Sequence, residues 1–376
     1  MTFFSMGGMG AVGPGPTAFA ATLAARLPAV VQTSFGDGAG SLAPAAVVLV
    51  ARDGVIAYEG TAGGAGPDLI FDLASVTKAA ATAPLLMRLV DAGTLGLDRR
   101  LVEVLPEWEG GALEGVTLRQ LLTHRAGLWE WRPTYLHARD PEAAIAFVLG
   151  LEPRYPPGSL RAYSDLGLMV AGEVVRRATG RDLAGLAGEW LWGPLGLSRT
   201  AFRPPVEWRG AVAASSLGDW YERRMIETGR PHPVPERAAD FNGWREHRLV
   251  GEANDGNAFH SFGGAAGHAG LFSSAFDLAQ LGMALGGAQL SSRAVLDEFM
   301  REASDEGQGS VFRTREVAGR AALWHPGFTG TRWLVAPDLG LVIVLLSNRL
   351  NVEGEPQPVD SAWDQIVAMV EDSLIS

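Results

Sequence analysis

Apolar side chains fall along this chain in distinct rhythms. Near the N-terminus Phe19, Leu23, Leu27 and Val31 recur at every fourth residue, the spacing that gathers one face of an amphipathic helix, and predict a helix from Pro16 to about Val31. The rhythm then changes to β-rich runs. The stretch AAVVLVARDGVIAYEG, residues 45–60, holds two of them on either side of Asp53-Gly54, a dipeptide suited to a tight hairpin turn. A comparable block closes the chain. In AALWHPGFTGTRWLVAPDLGLVIVLLSNR, residues 321–349, apolar runs meet at a Pro337-Asp338 turn, and a helical pattern follows from about Ser361 to Leu374. Between the two β-rich ends the periodicity is mostly helical, over residues 75–92, 117–124, 141–149, 163–179 and 276–286.

This arrangement predicts an α/β fold of the α+β type. Strands lie at both ends of the chain without βαβ alternation, so the sheet they form should be antiparallel and flanked by helices. The expected division is a Gly/Pro-rich arm at residues 1–16, a sheet lobe from 17–74 plus 276–376, and a mainly helical lobe at 75–275, with the active site between the lobes. The stretch 203–262 is rich in Arg, Pro, Trp and Gly and weakly periodic, which suits a functional cover or a mobile loop. In the arm, Gly8, Gly10 and Gly13 match G-x-G-x-x-G, but GPGP follows where a dinucleotide site needs a helix.

Composition narrows the function. The 376 residues are 47% apolar, enough for a large core, and carry 31 basic against 42 acidic residues for a net charge of -11. The basic residues are scattered, which argues against a nucleic-acid partner. Cysteine is absent, so disulfides, thiolate metal sites and a Cys nucleophile are excluded. No His pair has zinc-ligand spacing, and no metal or cofactor is expected. No secretory signal is legible and no apolar run is long enough to span a bilayer, so the expectation is a cytoplasmic protein without an integral membrane segment.

One residue stands apart. Lys78 is the only lysine, against 30 arginines, and it follows Ser75 by three residues in FDLASVTKAAATAPLL. Arginine cannot be deprotonated in a protein, whereas a desolvated lysine can shift its pKa and act as a base. On a helix, residues i and i+3 share a face, so a helix beginning near Ser75 would bring Lys78 back to the Ser75 hydroxyl. Pro84 should kink that helix. No G-x-S-x-G elbow offers a rival serine.

With these residues the chain resembles the serine hydrolases that include serine β-lactamases, penicillin-binding D-alanyl-D-alanine peptidases and related esterases. FDLASVTK is similar to their first motif, YSD at Tyr163 to Asp165 to their Tyr-x-Asn motif, and HPG at His325 to Gly327 to their Lys- or His-Thr-Gly motif. Supporting phrases such as LLTHRAGL (121–128) and GGAAGHAGLFSSAFDLA (263–279) spread the likeness over about residues 45–350.

The resemblance implies a β-lactamase-like fold, a Ser75 nucleophile, Lys78 as the amine that accepts or relays its proton, and Tyr163 as a second base. It also implies an oxyanion hole made by the backbone N–H groups of Ser75 and Phe328. Two departures qualify it. Asp165 replaces the usual Asn, and its charge beside Lys78 would favour the ammonium form and shift the base role toward Tyr163. His325-Pro326 replaces Lys-Thr, and Pro lacks the N–H and hydroxyl that hold a substrate carboxylate.

Asp165, His325, Gly327, Trp129 and His268 are the expected substrate-binding or supporting residues. Trp129, Trp131 and Trp324 are candidates for the wall of an acyl pocket or for plain core. His124 and His268 are expected to fix loops, and Asp255 and Asn257 to order the loop beside the site or to serve an Asx turn. The implied activity is hydrolysis through a Ser75 acyl-enzyme by an esterase or amidase of small acyl substrates. The alternatives are a D-alanyl-D-alanine carboxypeptidase or weak β-lactamase and, in another class, a non-catalytic binding module of the same fold. The partner is then a small-molecule ester, amide, D-amino-acid peptide or β-lactam, and the oligomeric state is left open.

Overall fold

A computed structural model describes residues 16–38, 40–302 and 305–375. The expected arm at 1–16 lies outside the described residues except for Pro16, which opens the first helix, Pro16–Phe35.

The main sheet has six antiparallel strands in the order β2-β1-β9-β8-β7-β6. They are β1 (Ala45–Arg52), β2 (Val55–Gly63), β6 (Arg313–Val317), β7 (Arg320–Pro326), β8 (Arg332–Ala336) and β9 (Leu341–Ser347). Asp53 and Gly54 both take positive φ, 51° and 78°, the geometry of a two-residue turn whose twist matches the strands it joins. Arg52 consequently pairs with Val55.

Both faces of this sheet are covered, which explains why β1 and β9 read as unbroken apolar runs rather than alternating ones. Val47, Leu49, Val342 and Val344 enter the larger core, while Val48, Val50, Ile343 and Leu345 enter a second one. Helix Ala275–Gly286 lies on the first face, contributing Leu278, Leu281 and Leu285. Helices Pro16–Phe35 and Asp360–Ile375 cover the second, with Phe19, Leu23, Leu27 and Val31 packed beside Trp363, Ile366 and Val370. Fully burying such a side chain contributes about 1.5–3 kcal/mol.

A second, three-stranded sheet has the order β3-β5-β4, with β3 Phe71–Asp72, β4 Ala201–Phe202 and β5 Leu271–Ser273. Strands of two or three residues carry no period for the sequence to show. Helices at Leu183–Ala187, Trp220–Thr228 and Arg293–Met300 also went unanticipated. Among the described residues no helix is long and apolar enough to cross a membrane.

The segment after Ser75 departs from expectation. In place of one α-helix kinked at Pro84, residues Lys78–Thr82 form a π-helical turn that runs into helix Ala83–Asp91. Ala83 N–H closes on the Lys78 carbonyl five residues back. Pro84 has no N–H to donate, and the wider turn accommodates it at the first turn of the new helix.

Candidate active site

The short strand β3 feeds directly into the turn that carries Ser75. Leu73 N–H bonds to the Leu271 carbonyl at 2.9 Å, and Ala74 is held in the left-handed region at φ 46°, a conformation that costs a non-glycine residue about 1–2 kcal/mol. The Asp72 side chain offsets that cost, since its Oδ1 accepts the Ala74 N–H at 2.8 Å. Backbone bonds from Val76, Thr77 and Lys78 to Leu73, Ala74 and Ser75 then start the helix.

All five residues of the π-turn are buried, and Lys78 has no exposed surface. Its Nζ donates to Ser75 Oγ at 2.7 Å and to the His268 carbonyl at 3.0 Å, and it forms an ion pair with Asp165 Oδ1 at 2.7 Å. The Tyr163 ring centroid lies 5.3 Å from Nζ, and the Lys78 charge bears directly on the Tyr163 phenol.

Electrostatics sets the protonation of this cluster. Burial pulls the Lys78 amine down, but the Asp165 carboxylate and the Tyr163 phenol outweigh it, so its pKa rises above the ordinary value. Burial pushes the Tyr163 phenol up, Asp165 adds to the rise, and Lys78 only partly opposes it. At neutral pH the pair therefore rests as an ammonium and a phenol.

Two elements orient the Tyr163 side of the cluster. Ser164 caps helix Asp165–Thr179, its Oγ accepting from Gly167 N–H at 2.9 Å and donating to the Trp129 carbonyl at 2.6 Å. His124, itself left-handed at φ 59°, accepts the Ser164 N–H on Nδ1 at 3.1 Å and packs its ring 4.5 Å from that of Tyr163. Burial and the nearby Lys78, Arg161 and Arg313 charges push its pKa down to about 3.

The HPG segment arrives from the other side. Gly327 sits so close to the Ser75 turn that a Cβ there would lie 2.0 Å from Thr331 Oγ1 and 2.4 Å from the Leu73 carbonyl oxygen, so only glycine fits. Thr329 and Thr331 donate their hydroxyls to the Asp72 and Leu73 carbonyls at 2.8 and 3.0 Å. Among the described residues, neither the Ser75 nor the Phe328 backbone N–H is engaged by a protein acceptor. The Phe328 ring meets Tyr221 edge-on at 4.8 Å, and Tyr221 borders a cavity of about 780 Å³ shared with Arg224, Met225, Thr228 and Arg230.

Four of the candidate residues take supporting or core positions rather than substrate-facing ones. His325 is fully buried, with Nδ1 2.8 Å from the Pro326 carbonyl oxygen, and burial together with Lys78 holds its pKa far below the usual value. It is a neutral ring behind Tyr163, 6.2 Å between centroids. Trp129 lies between the guanidinium groups of Arg132 and Arg154, at 4.7 and 4.9 Å, and lends the site only its carbonyl. Trp324 falls on the opposite face of β7 from His325, as strand alternation requires, and packs against the core under the terminal helices. Trp131 belongs to a small cluster with Tyr135 and Phe241.

His268 is fully buried and brings its carbonyl to Lys78, while its Nε2 meets Asp255 Oδ1 at 2.9 Å. Asp255 also takes the Ala258 N–H at 2.7 Å, and the Asn257 side chain ties the same loop to Thr134 and the Arg132 carbonyl. Sequence reasoning passed over Asp72, Asn254, Thr329 and Thr331, which join the segments around Ser75. Each is an ordinary polar residue in the sequence, and only pairing across distant segments reveals it. Among the described residues no group of three or more His, Asp or Glu is placed to hold a metal ion.

Comparison with known proteins agrees with this fold. The family model described as Beta-lactamase matches residues 37–367. A relative from Escherichia coli (strain K12), provisionally named a D-alanyl-D-alanine carboxypeptidase, is 28% identical over 74% of this chain and 69% of its own. A penicillin-binding protein homolog from Caulobacter crescentus superposes with a TM-score of 0.71 at 23% identity, covering 97% of this chain and 99% of that one. EstCE1, a hydrolase with promiscuous acyltransferase activity, superposes with a TM-score of 0.67 at 21% identity over 95% and 99% of the two chains.

Proposed function

The chain belongs to the beta-lactamase family and is a serine hydrolase, and on that premise we propose that it hydrolyses small esters or amides through an acyl-enzyme on Ser75. Ser75 Oγ attacks the carbonyl carbon as its proton passes into the Lys78–Tyr163 pair. The backbone N–H groups of Ser75 and Phe328 hold the oxyanion, a kind of contact worth about 3–4 kcal/mol per donor. The proton then moves to the leaving group, and water releases the acid by the reverse sequence.

The observation that carries this reading is the short contact from Lys78 Nζ to Ser75 Oγ, made beside the Tyr163 ring, whose centroid lies 5.3 Å from Nζ. Because Asp165 favours the ammonium, the reactive state is the one in which the pair has lost one proton, held as Lys78 ammonium and Tyr163 phenolate.

The choice of a small acyl substrate rests on the HPG segment. Pro326 offers no donor, and the Thr329 and Thr331 hydroxyls are turned onto backbone carbonyls, so a substrate carboxylate finds no hydroxyl there. A second reading, D-alanyl-D-alanine carboxypeptidase, is favoured by the name of the Escherichia coli relative.

Intact-mass spectrometry after treatment with a fluorophosphonate and, separately, with a penicillin tests both. A phosphonyl adduct mapping to Ser75, absent in Ser75→Ala, is expected. A stable penicillin adduct on Ser75 would favour the peptidase reading, and a fluorophosphonate adduct at any other residue would overturn the Ser75 assignment.

A further inference from the structure

The Asp72 carboxyl is almost fully buried at 3% exposure, and its hydrogen bonds run to two backbone N–H groups rather than to the Ser75, Lys78 or Tyr163 side chains. Its Oδ1 accepts from Ala74 N–H at 2.8 Å and its Oδ2 from Asn254 N–H at 2.6 Å. Asn254 precedes Asp255, which meets the His268 ring, and the His268 carbonyl meets Lys78 Nζ. The Asp72 carbonyl takes the Thr329 hydroxyl, one residue beyond Phe328. One residue thus joins three segments that share no regular element: the Ser75 turn, the loop behind Lys78, and the turn that presents the Phe328 N–H.

Resting on the Ser75 acyl-enzyme reading, we propose that Asp72 is a positioning residue for acyl transfer, its carboxylate locking Ala74 in the left-handed conformation that aims the Ser75 N–H and hydroxyl at one point. A neutral group there would serve worse, because the two N–H donors both point at the side chain and only a carboxylate offers an acceptor to each without a proton of its own.

This arrangement separates activity from stability. Burial pushes the Asp72 pKa up to about 6, against the two backbone bonds and the Arg245 charge and reinforced by the Asp255 charge. A carboxyl whose folded pKa is raised contributes stability that is fully present below its unfolded pKa and lost as pH rises through about 6. Holding the anion at neutral pH therefore works against the fold.

The experiment compares wild type and Asp72→Asn, each with and without Ala74→Gly. It reads fluorophosphonate labelling of Ser75, kcat and KM on a chromogenic ester, and the thermal midpoint. Asp72→Asn should lower kcat and the labelling rate about 30- to 100-fold with KM changed less than about threefold and no fall in the midpoint at neutral pH. Glycine adopts positive φ without steric cost, so the loss caused by Asp72→Asn should shrink at least about fivefold in the Ala74→Gly background. Unchanged kcat, a loss that tracks a lowered midpoint, failure of Asp72→Asn to fold, or an equal loss in both backgrounds would each overturn the proposal. Absence of wild-type labelling at Ser75 would instead remove the acyl-enzyme reading on which it stands.

Discussion

Asp165 Oδ1 lies 2.7 Å from Lys78 Nζ, and Lys78 is fully buried while Asp165 keeps a fifth of its side chain exposed. The carboxylate neutralises an ammonium that water cannot reach, and in doing so it makes that ammonium a weaker acid. It also repels negative charge on the Tyr163 phenol. Both effects raise the pH at which the pair gives up its first proton.

Asp165→Asn removes the anion. The Lys78 and Tyr163 pKa values should then both fall, and the acid limb of the acylation pH profile should move to lower pH by about one unit or more. Stopped-flow acylation rates across the alkaline range measure it. A limb that stays in place or moves upward would show that Asp165 does not set the proton inventory of the pair.

Lys78→Arg keeps a positive charge beside Asp165 but replaces the amine that can relay the Ser75 proton to Tyr163 with a guanidinium that does not exchange its proton. Labelling of Ser75 should slow by about 10²–10⁴, with the fold verified by circular dichroism. Wild-type rates in a folded Lys78→Arg protein would sink the case for the solitary lysine.

Gly327→Ala would place a Cβ 2.0 Å from Thr331 Oγ1 and 2.4 Å from the Leu73 carbonyl oxygen, forcing the HPG turn away from the Ser75 turn. Loss of one oxyanion donor corresponds to about 10²–10³ in kcat. Ester hydrolysis by the purified variant should fall by that amount, and a loss below about fivefold would mean that the spacing of the two turns does not matter to the reaction.

His124 ties stability to pH. Its folded pKa is about 3, against about 6.5 for an unfolded histidine. Between these values the unfolded chain binds a proton that the folded chain refuses, so the contribution of His124 is whole above about 6.5 and is lost as pH falls through about 3. Urea unfolding at about pH 7 and 4.5 should differ by about 2–3 kcal/mol more in wild type than in His124→Asn, whose amide oxygen can still accept the Ser164 N–H. Parallel pH dependences in the two proteins would place the acid sensitivity elsewhere.

The sequence by itself determined the elements whose periods run long enough to read: the helix bearing Phe19, Leu23, Leu27 and Val31, the hairpin at Asp53-Gly54, and the strands whose apolar runs fill two cores. It also exposed Lys78, because a lone titratable amine among 30 arginines is a compositional fact, and through motif order it brought Ser75, Tyr163 and Asp165 into one group. Tertiary structure alone decided what surrounds them. Asp72 carries no local signature, since it binds Asn254 and Thr329 from distant segments, and although the GHAG phrase pointed to His268, only the fold shows that its backbone carbonyl is what reaches Lys78. The same holds for His325 and Trp324, adjacent residues that strand alternation sends to opposite faces, one behind Tyr163 and the other toward the terminal helices. Local sequence fixes periodicity and residue chemistry, whereas the direction in which a polar group points, and whether it arrives buried, depends on contacts hundreds of residues apart.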